Sequence, residues 1–471
     1  MNISDNPKYD LIIVGGGLAG ASLAVALMSQ LAGGVSAKTV SHAGQKAGRK
    51  PDLKSTRKYR VAVVEAYAPD DDLQPSYDDR SIALSWGSRL IYQQIGVWPV
   101  LAPHVEAIES IHISDRGHFG VTRLTAQQEG VEALGYVVEN RPVGAELFRV
   151  MSKAQHAQDD PAVKLDLYCP AQLAALSQDD DRVSIELKLP DDRQSGQAAG
   201  QEPSTISLQA DMLVAADGNN SRVLKLLNIG SSRQDYKQSA VITNITPGRS
   251  HANVAYERFT ETGPLAMLPM RDNRCSVVWT LPPDEAARLY AIDEETFRQQ
   301  LQQAFGFRLG EIRKVGKRAV YPLFLQSASE MVHGRVAILG NAAHSVHPVA
   351  GQGFNLALRD VALLTDLIDR SWQQQAATGG GIDVRQILDD YARLRSEDIQ
   401  QVYRFTDTLV KLFSNAISPL AHARSCGLLL VDLVPDIKHT LAAHSMGMSG
   451  VNLRDLRLLR NAAHGSRRTR P

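Results

Sequence analysis

Cysteine is scarce: three residues in 471, Cys169, Cys275 and Cys426, far apart and odd in number. They make neither a metal-spaced cluster nor a disulfide framework, which fits a reducing cytoplasm and three isolated thiols packed as small hydrophobes. Net charge is lacking too. Lys plus Arg and Asp plus Glu each total 51, without the basic excess of a nucleic-acid binder. No uninterrupted apolar stretch of about 20 residues is present to span a bilayer. The apolar run from Leu11 is broken by Gly15, Gly16, Gly17 and Gly20 and follows no basic segment, so it does not read as a secretory signal. A cytoplasmic protein is expected, one that rests at most on a membrane surface. What is there is ample core material, 44% hydrophobic against 22% charged. The length suits about two to three domains.

Tyr9 to Val14 (YDLIIV) is a continuous apolar run closed by glycines, as a strand buried on both faces of a parallel sheet requires. Leu18 to Leu31 reads as a helix rich in Ala and Leu. Arg60 to Val64 reads as a second buried strand ended by Glu65, completing a β-α-β unit. Between them, residues 33–59 are rich in Gly, Ser, Lys and Arg with Asp52 as the single acid. That composition predicts a disordered basic surface insertion, tolerated as a loop.

Asp79 to Gln94 reads as a loop entering a helix. Alternation and turn residues over Ile111 to Leu124 and Ser239 to Leu281 predict an antiparallel sheet outside the nucleotide fold. Val183 to Leu189 and Ser204 to Val214 predict a hairpin whose second arm runs into a strand, Asp211 to Ala216, ending at Asp217-Gly218. Val336 to Leu339 is a further short buried strand, and helical periodicity dominates from Asn355 onward.

Gly15-Gly16-Gly17-Leu18-Ala19-Gly20 is a G-x-G-x-x-G between strand and helix. Gly15 permits the tight turn, Gly17 lets a pyrophosphate approach the backbone, and Gly20 lets helix and strand pack closely. The helix N-terminus then offers N–H groups to the phosphates. Glu65 ends the second strand, where a carboxylate hydrogen-bonds a ribose hydroxyl. It lies 45 residues beyond Gly20, against the usual ~20, because the insertion lengthens the loop without moving the strand end.

That motif by itself does not choose between FAD and NAD. Two further turns follow strands: Asp217-Gly218-Asn219-Asn220-Ser221, with a helix beginning near Ser221, and Gly340-Asn341-Ala342-Ala343-His344. The second runs into His347-Pro348-Val349-Ala350-Gly351-Gln352-Gly353-Phe354-Asn355. With these stretches the sequence resembles the FAD-dependent aromatic hydroxylases of the 4-hydroxybenzoate hydroxylase type, and within them the ubiquinone-biosynthesis ring hydroxylases. Asp79 to Ser85 (DRSIALS), Val138 to Pro142 (VENRP) and the helix continuing over Leu356 to Asp360 add to the likeness, which covers nearly the whole chain outside the insertion.

The resemblance implies an α/β fold: a Rossmann-like FAD-binding domain interleaved with an antiparallel-sheet substrate domain and followed by a C-terminal helical region. FAD-binding segments would be 1–102, 139–230 and 318–370, substrate segments 103–138 and 231–317, and the helical region 371–471. It implies Glu65 on the adenosine ribose, Arg80 and Arg141 against the cofactor, and Asp217 with Gly218 linked to both FAD and the nicotinamide donor. Gly340 and Asn341 would meet the ribityl chain. Asn341 stands where the wider group has Asp; it keeps an oxygen acceptor and gains a donor without the charge, and the ubiquinone subgroup shares it. Leu224 stands where an arginine is frequent, with Arg222 as its substitute. Gly351, Gly353 and Asn355 open a helix whose N–H groups would face the negative charge of a reduced flavin, and Pro348 would stiffen the loop against the ring. His344 and His347 read as structural histidines, and no metal is expected.

The implied activity is hydroxylation of the aromatic ring of a polyprenylated phenol in ubiquinone biosynthesis, with FAD as cofactor, NAD(P)H as co-substrate and O2 as oxidant. No second G-x-G-x-x-G is present for a nicotinamide domain, so the donor would dock transiently. No phenol base is singled out. An FAD-dependent reductase or dehydrogenase that does not activate oxygen is the alternative enzyme, and an escort for prenylated proteins the non-catalytic reading; the HPVAGQGFN stretch favours the hydroxylase. Leu265 to Met270 (LAMLPM) is expected as a core strand, with apolar lining beside the flavin as the alternative. Thr408 to Ser414 and Gly427 to Val434, flanked by Lys438, Arg454 and Arg457, read as domain core or as a contact with the inner membrane or a partner complex.

Overall fold

The computed structural model describes residues 7–31, 58–69, 80–157, 162–190, 204–345, 351–378, 382–413, 427 and 430–448. The expected insertion therefore lies outside the described residues except for its last two, and Tyr59 already belongs to a strand. His347, Pro348, Cys426, Arg454 and Arg457 also lie outside them.

The nucleotide half begins with β1 (Lys8–Val14), α1 (Leu18–Leu31) and β2 (Tyr59–Val64). Next come β3 (Ser81–Ser85), α2 (Trp86–Gln94), β4 (Glu106–Ile108), β5 (Ser110–Asp115), β6 (Val121–Thr125), β7 (Gly135–Glu139) and α3 (Asn140–Gln155). The chain returns through β8 (Val163–Tyr168), β9 (Gln172–Gln178), β10 (Val183–Lys188), β11 (Thr205–Ala215) and α4 (Arg222–Leu226). The second half contains β12 (Ser231–Pro247), β13 (Val254–Thr260), β14 (Gly263–Met270), β15 (Arg274–Leu281), α5 (Pro283–Ala291) and α6 (Glu294–Phe305). Then follow β16 (Ile312–Val315), β17 (Ala319–Ala328), β18 (Val332–His333), β19 (Val336–Ile338) and β20 (His344–Ser345). The last elements are α7 (Gln352–Thr378), α8 (Val384–Phe413) and α9 (Pro435–Ser445).

β1 is buried from its second residue to its last, because both faces are covered. It sits at the centre of a parallel run β19-β11-β1-β2-β8. One face packs on α1, α3 and α7 through Leu11, Ile13, Leu23, Leu27, Val61 and Leu358. The other carries Ile12, Val14, Leu213 and Ile338 into a second core, covered by the antiparallel β9 and β10. The expected hairpin is present. β11 is long enough to pair antiparallel with β10 in its first part and parallel with β1 in its second.

A second sheet runs β20-β17-β12-β15-β14-β13-β5-β6, with β16 on β12. It is antiparallel as expected with one exception: β5 arrives from a distant chain segment and joins β13 in parallel. One face packs on α5 and α6 through Val241, Leu265, Met267, Trp279, Phe297 and Leu301. A small sheet, β3-β7-β4, bridges the halves. Here the reading of Asp79 to Gln94 is corrected: Ser81 to Ser85 is a strand rather than loop, because β7 supplies its ladder from 54 residues away, Ser81 facing Glu139 and Ser85 facing Gly135. A five-residue segment with serines at both ends carries too little periodicity to announce that.

Among the described residues no helix is long and apolar enough to cross a membrane. Cys275 is buried in the second sheet, and burial pushes its thiol up to about 12. Burial, with Glu65 adding to it, pushes Cys169 up to about 11. Both are poor nucleophiles at neutral pH.

Candidate functional site

A cavity of about 1430 Å³ opens where the parallel strands end and continues across the free face of the second sheet. A small-molecule pocket is typically about 300–1,000 Å³, so this space has room for a dinucleotide and a second molecule beside it. Its position outside the carboxyl ends of β1, β2 and β11 is where open α/β sheets bind nucleotides.

One end of the cavity is built from the turn after β1. Gly15 has φ +108°, and a Cβ there would stand 2.4 Å from the carbonyl oxygen of Ala216. A Cβ on Gly20 would stand 1.9 Å from the carbonyl oxygen of Gly15, so the helix approaches the turn closely only because Gly20 lacks one. Gly15 and Gly17 line the cavity, and α1 points its N-terminus into it. The buried Glu65 accepts the N–H of Gly16 at 2.6 Å through Oε2 and the N–H of Tyr67 at 3.0 Å through Oε1. Its carboxylate thereby braces the turn and also faces the cavity. These residues fit a dinucleotide: a backbone cradle no side chain could enter, the N-terminus of α1 for phosphate, and a fixed carboxylate for a ribose.

Asp217 and Gly218 border the same space after β11. Asp217 Oδ2 accepts the N–H groups of Arg222 (2.6 Å) and Val223 (3.1 Å), capping α4 together with Ser221, whose hydroxyl accepts from Leu224 (3.1 Å). Desolvation at this strand end raises the Asp217 carboxyl above its ordinary value, against the lowering effect of Ser221 and those N–H groups. Arg222 reaches the cavity while Leu224 is buried in the core.

The third turn follows β19. Asn341 borders the cavity, while Gly340 stands behind it at φ +62° and donates its N–H to Asp360 Oδ2 (3.0 Å). Asp360 is wholly buried on α7. It also takes His344 Nε2 at 2.7 Å on Oδ2 and Arg395 Nε from α8 at 2.6 Å on Oδ1. Arg395 bonds Asp398 in turn, and Asp398 accepts Arg359 Nη1 at 3.0 Å. Burial alone would raise the Asp360 carboxyl; His344, Arg395 and the Gly340 N–H overcome it and hold the group below the ordinary carboxylate range. His344 is thus a buried structural partner and not part of the lining. This network fixes the turn that presents Asn341.

Gly351, Gly353 and Asn355 open α7 against the cavity. Asn355 is a clamp. Its Oδ1 accepts Ser85 N–H (2.8 Å) and Ser88 Oγ–H (2.6 Å), and its Nδ2 donates to the carbonyls of Ala83 (2.8 Å) and Gly351 (2.6 Å). Arg80, just before β3, lies over the ring of Tyr321 at 5.1 Å, and both border the cavity. Ser81 donates to Ser276 at 2.7 Å, tying β3 to the second sheet. The structure brings Gly15, Gly17, Glu65, Arg80, Asp217, Gly218, Asn341, Gly351, Gly353 and Asn355 to one cavity. Gly20 and Gly340 stand directly behind it. It does not bring Arg141 there: that residue is exposed at the start of α3, and its neighbour Asn140 borders the cavity instead.

The other end of the cavity is the free face of the second sheet. LAMLPM is a strand with two faces: Leu265 and Met267 enter the core, as expected, while Ala266 and Leu268 border the cavity. α9 closes one side. Ala442 and Met446 pack with Ile108, Leu134 and Ala255, while Leu441 and Ser445 border the cavity. Sequence reasoning missed Glu257, a lone carboxylate in this apolar lining, and the Asp360–Arg395–Asp398 network. The alternation Ala255, Glu257, Phe259 was the available signal for the first; the second joins residues on separate helices and leaves none. Among the described residues no group of His, Cys, Asp or Glu could hold a metal ion.

The model of an FAD binding domain matches residues 8–406 of this chain. The chain is 34% identical over 458 residues to ubiquinone hydroxylase UbiL of Rhodospirillum rubrum, covering 96% of this chain and 92% of that protein. It is 27% identical over 447 residues to 3-demethoxyubiquinol 3-hydroxylase of Escherichia coli, covering 94% of this chain and all of the relative. Among solved structures, p-nitrophenol 4-monooxygenase PnpA of Pseudomonas putida superposes with a TM-score of 0.68 at 16% identity, over 94% of this chain and 99% of that one. That last likeness is one of fold.

Proposed function

The chain belongs to the FAD-binding family of flavin-dependent ring hydroxylases, and on that premise we propose that its substrate is a prenylated phenol of ubiquinone biosynthesis. It is an FAD-dependent aromatic-ring monooxygenase that draws on NAD(P)H and O2. The observation that carries the substrate reading is the continuity of one cavity, from the phosphate cradle and Glu65, past Arg80 and Gly351, to the apolar face of the second sheet.

FAD, when bound, supplies hydride acceptance and oxygen activation; the chain supplies position, charge and dryness. The turn Gly15–Gly20 and the start of α1 hold the pyrophosphate, and Glu65 takes the ribose. Asp217 and Asn341 would offer polar groups to the linker of the cofactor, and Arg80 would supply a cation at the junction of the two halves. With FAD bound, the N–H groups from Gly351 onward would stabilise the negative charge that the ring gains on reduction. Pro348 is proposed to stiffen that loop, and Arg141 to act from outside the lining. Ile111, Ala266, Leu268 and Val278 hold an aromatic ring flat and exclude water from the reacting carbon.

A prenyl tail needs an apolar exit, and the lining offers Ile108, Leu134, Val431 and Leu441 beneath the C-terminal helix. On the outside of the same segment Leu430, Leu433, Val434 and Ile437 are exposed, on both sides of the extended Val434 that leads into α9. We place this face against the membrane surface, from which so apolar a substrate is drawn.

The test supplies purified holoenzyme with 18O2, NADH or NADPH, and 2-geranylphenol. One labelled oxygen in the ring of the product is expected. Consumption of the nicotinamide with no labelled product would replace this reading by a reductase that does not activate oxygen.

A further inference from the structure

β13 places Glu257 in the middle of the cavity floor. Its partners in register are Ile113 on β5 and Ala266 on β14, and the row continues through Val278 on β15 to Ile242 on β12. All four are apolar and all four border the cavity. Along β13 the same face carries Ala255 and Phe259. No hydrogen bond or ion pair to Glu257 is formed among the described residues. The other charged residues of the lining, Glu65, Arg80, Asp217, Arg222 and Lys225, come from the phosphate cradle and the segment before β3.

Resting on the monooxygenase reading, we propose that Glu257 accepts the hydrogen bond and then the proton of the substrate's ring hydroxyl. A carboxylate among apolar side chains is costly unless a donor reaches it. The cavity is where that donor arrives, and an apolar ring bearing one O–H matches an apolar floor bearing one acceptor. The proton passes from the hydroxyl oxygen to the carboxylate, and the O–H pair stays on the phenol oxygen. It raises electron density at the ortho and para carbons, where oxygen enters. The hydrogen displaced from that carbon leaves as a proton when the ring regains aromaticity, and Glu257 returns its own to the phenol oxygen.

Burial pushes the Glu257 carboxyl up to about 7. A phenol near 10 and an ordinary carboxylate differ by about six powers of ten in proton affinity; burial narrows this to about three. The groups facing Glu257 leave that cause alone. Ile113, Ala266, Ala255 and Phe259 do not titrate. Asp115, two residues past Ile113, pairs with His118 at 3.3 Å. His112 and Arg258 alternate onto the opposite face, where Arg258 donates to the carbonyl of Ala304 at 3.2 Å.

The experiment compares wild-type holoenzyme with Glu257→Gln and Glu257→Leu, using 2-geranylphenol, NAD(P)H and air. For Glu257→Gln we expect unchanged FAD content and a fall of about 10²-fold in hydroxylation, the usual size for a general base. The wild-type loss of kcat as pH drops through about 7 should vanish in the variant, while NAD(P)H oxidation without product persists. Glu257→Leu should melt no lower than wild type, since it removes an unpaired, half-buried carboxylate from an apolar surround. Hydroxylation by Glu257→Gln within twofold of wild type, with the same acid limb, overturns the proposal. Binding of the phenol to oxidised holoenzyme is read in parallel from the flavin spectrum. If the wild type binds but forms no product, the monooxygenase reading fails. At least tenfold weaker binding to Glu257→Gln would then still uphold the contact, and equal binding would remove it.

Discussion

At Gly15 the demand on a single residue is most severe. Its φ of +108° and the 2.4 Å approach of the Ala216 carbonyl leave no place for a side chain. An alanine there carries about 1–3 kcal/mol of backbone strain besides the clash, and each 1.4 kcal/mol is tenfold in affinity. Gly15→Ala should therefore hold FAD roughly 10- to 100-fold more weakly, read as the ratio of flavin to protein absorbance after dialysis. Full retention of flavin would mean that the turn is not the cradle. This residue was legible in the sequence because its constraint is local: strand, turn and helix are consecutive. Arg141 and Asn140 show the limit. They are neighbours at one helix start, and only the packing of α3 decides that Asn140 faces the cavity and Arg141 faces outward.

Between elements, Asn355 and Asp360 join α7 to what it must hold in place. Asn355 both donates and accepts, so Asn355→Asp keeps the bonds to Ser85 and Ser88 but loses both donations, to Ala83 and Gly351. With each unmet buried partner costing about 1–3 kcal/mol, a stability loss of about 2–5 kcal/mol is expected in urea unfolding, together with looser FAD. Asp360→Asn removes one of two carboxylates that balance Arg359 and Arg395, and breaking such a buried set costs about 3–5 kcal/mol. Because the Asp360 carboxyl is held below its ordinary value, its stabilising contribution is full above about pH 4 and is lost as pH falls through its lowered value. The gap in urea midpoint between wild type and Asp360→Asn should thus be wide at pH 7 and shrink as pH falls below about 4. A gap independent of pH would remove the charge from the explanation. Periodicity foretold both helices but not this network, since Asp360, Arg395 and Asp398 meet only once α7 and α8 lie side by side.

For the whole molecule, two sheets and α9 enclose one space. The face of Leu430, Leu433, Val434 and Ile437 stands outside that space, so charging it should leave the cavity intact. Leu433→Glu with Ile437→Glu is expected to keep FAD and its turnover of a detergent-dispersed phenol, yet float with acidic liposomes at least fivefold less. Undiminished flotation would take this face away from the membrane. Of the two stretches singled out at the C-terminus, the side chains of 408–414 lie outside the described residues. The second divides its work: Gly427 and Val431 border the cavity, while Leu430 and Leu433 face outward.

Sequence alone determined the parts that depend on neighbours along the chain: the β-α-β unit, the glycine turn after β1, the carboxylate ending β2, the hairpin into β11, and the α/β class with a second sheet. Local sterics and period-two or period-3.6 burial act over a few residues, so they leave a readable trace. Tertiary structure alone decided that β3 is a strand, that β5 joins β13 in parallel, that Asp360 gathers three partners, and that Glu257 stands by itself among apolar side chains. Each of these follows from contacts between residues tens to hundreds of positions apart, and burial, charge pairing and cavity exposure exist only after the chain has closed those distances.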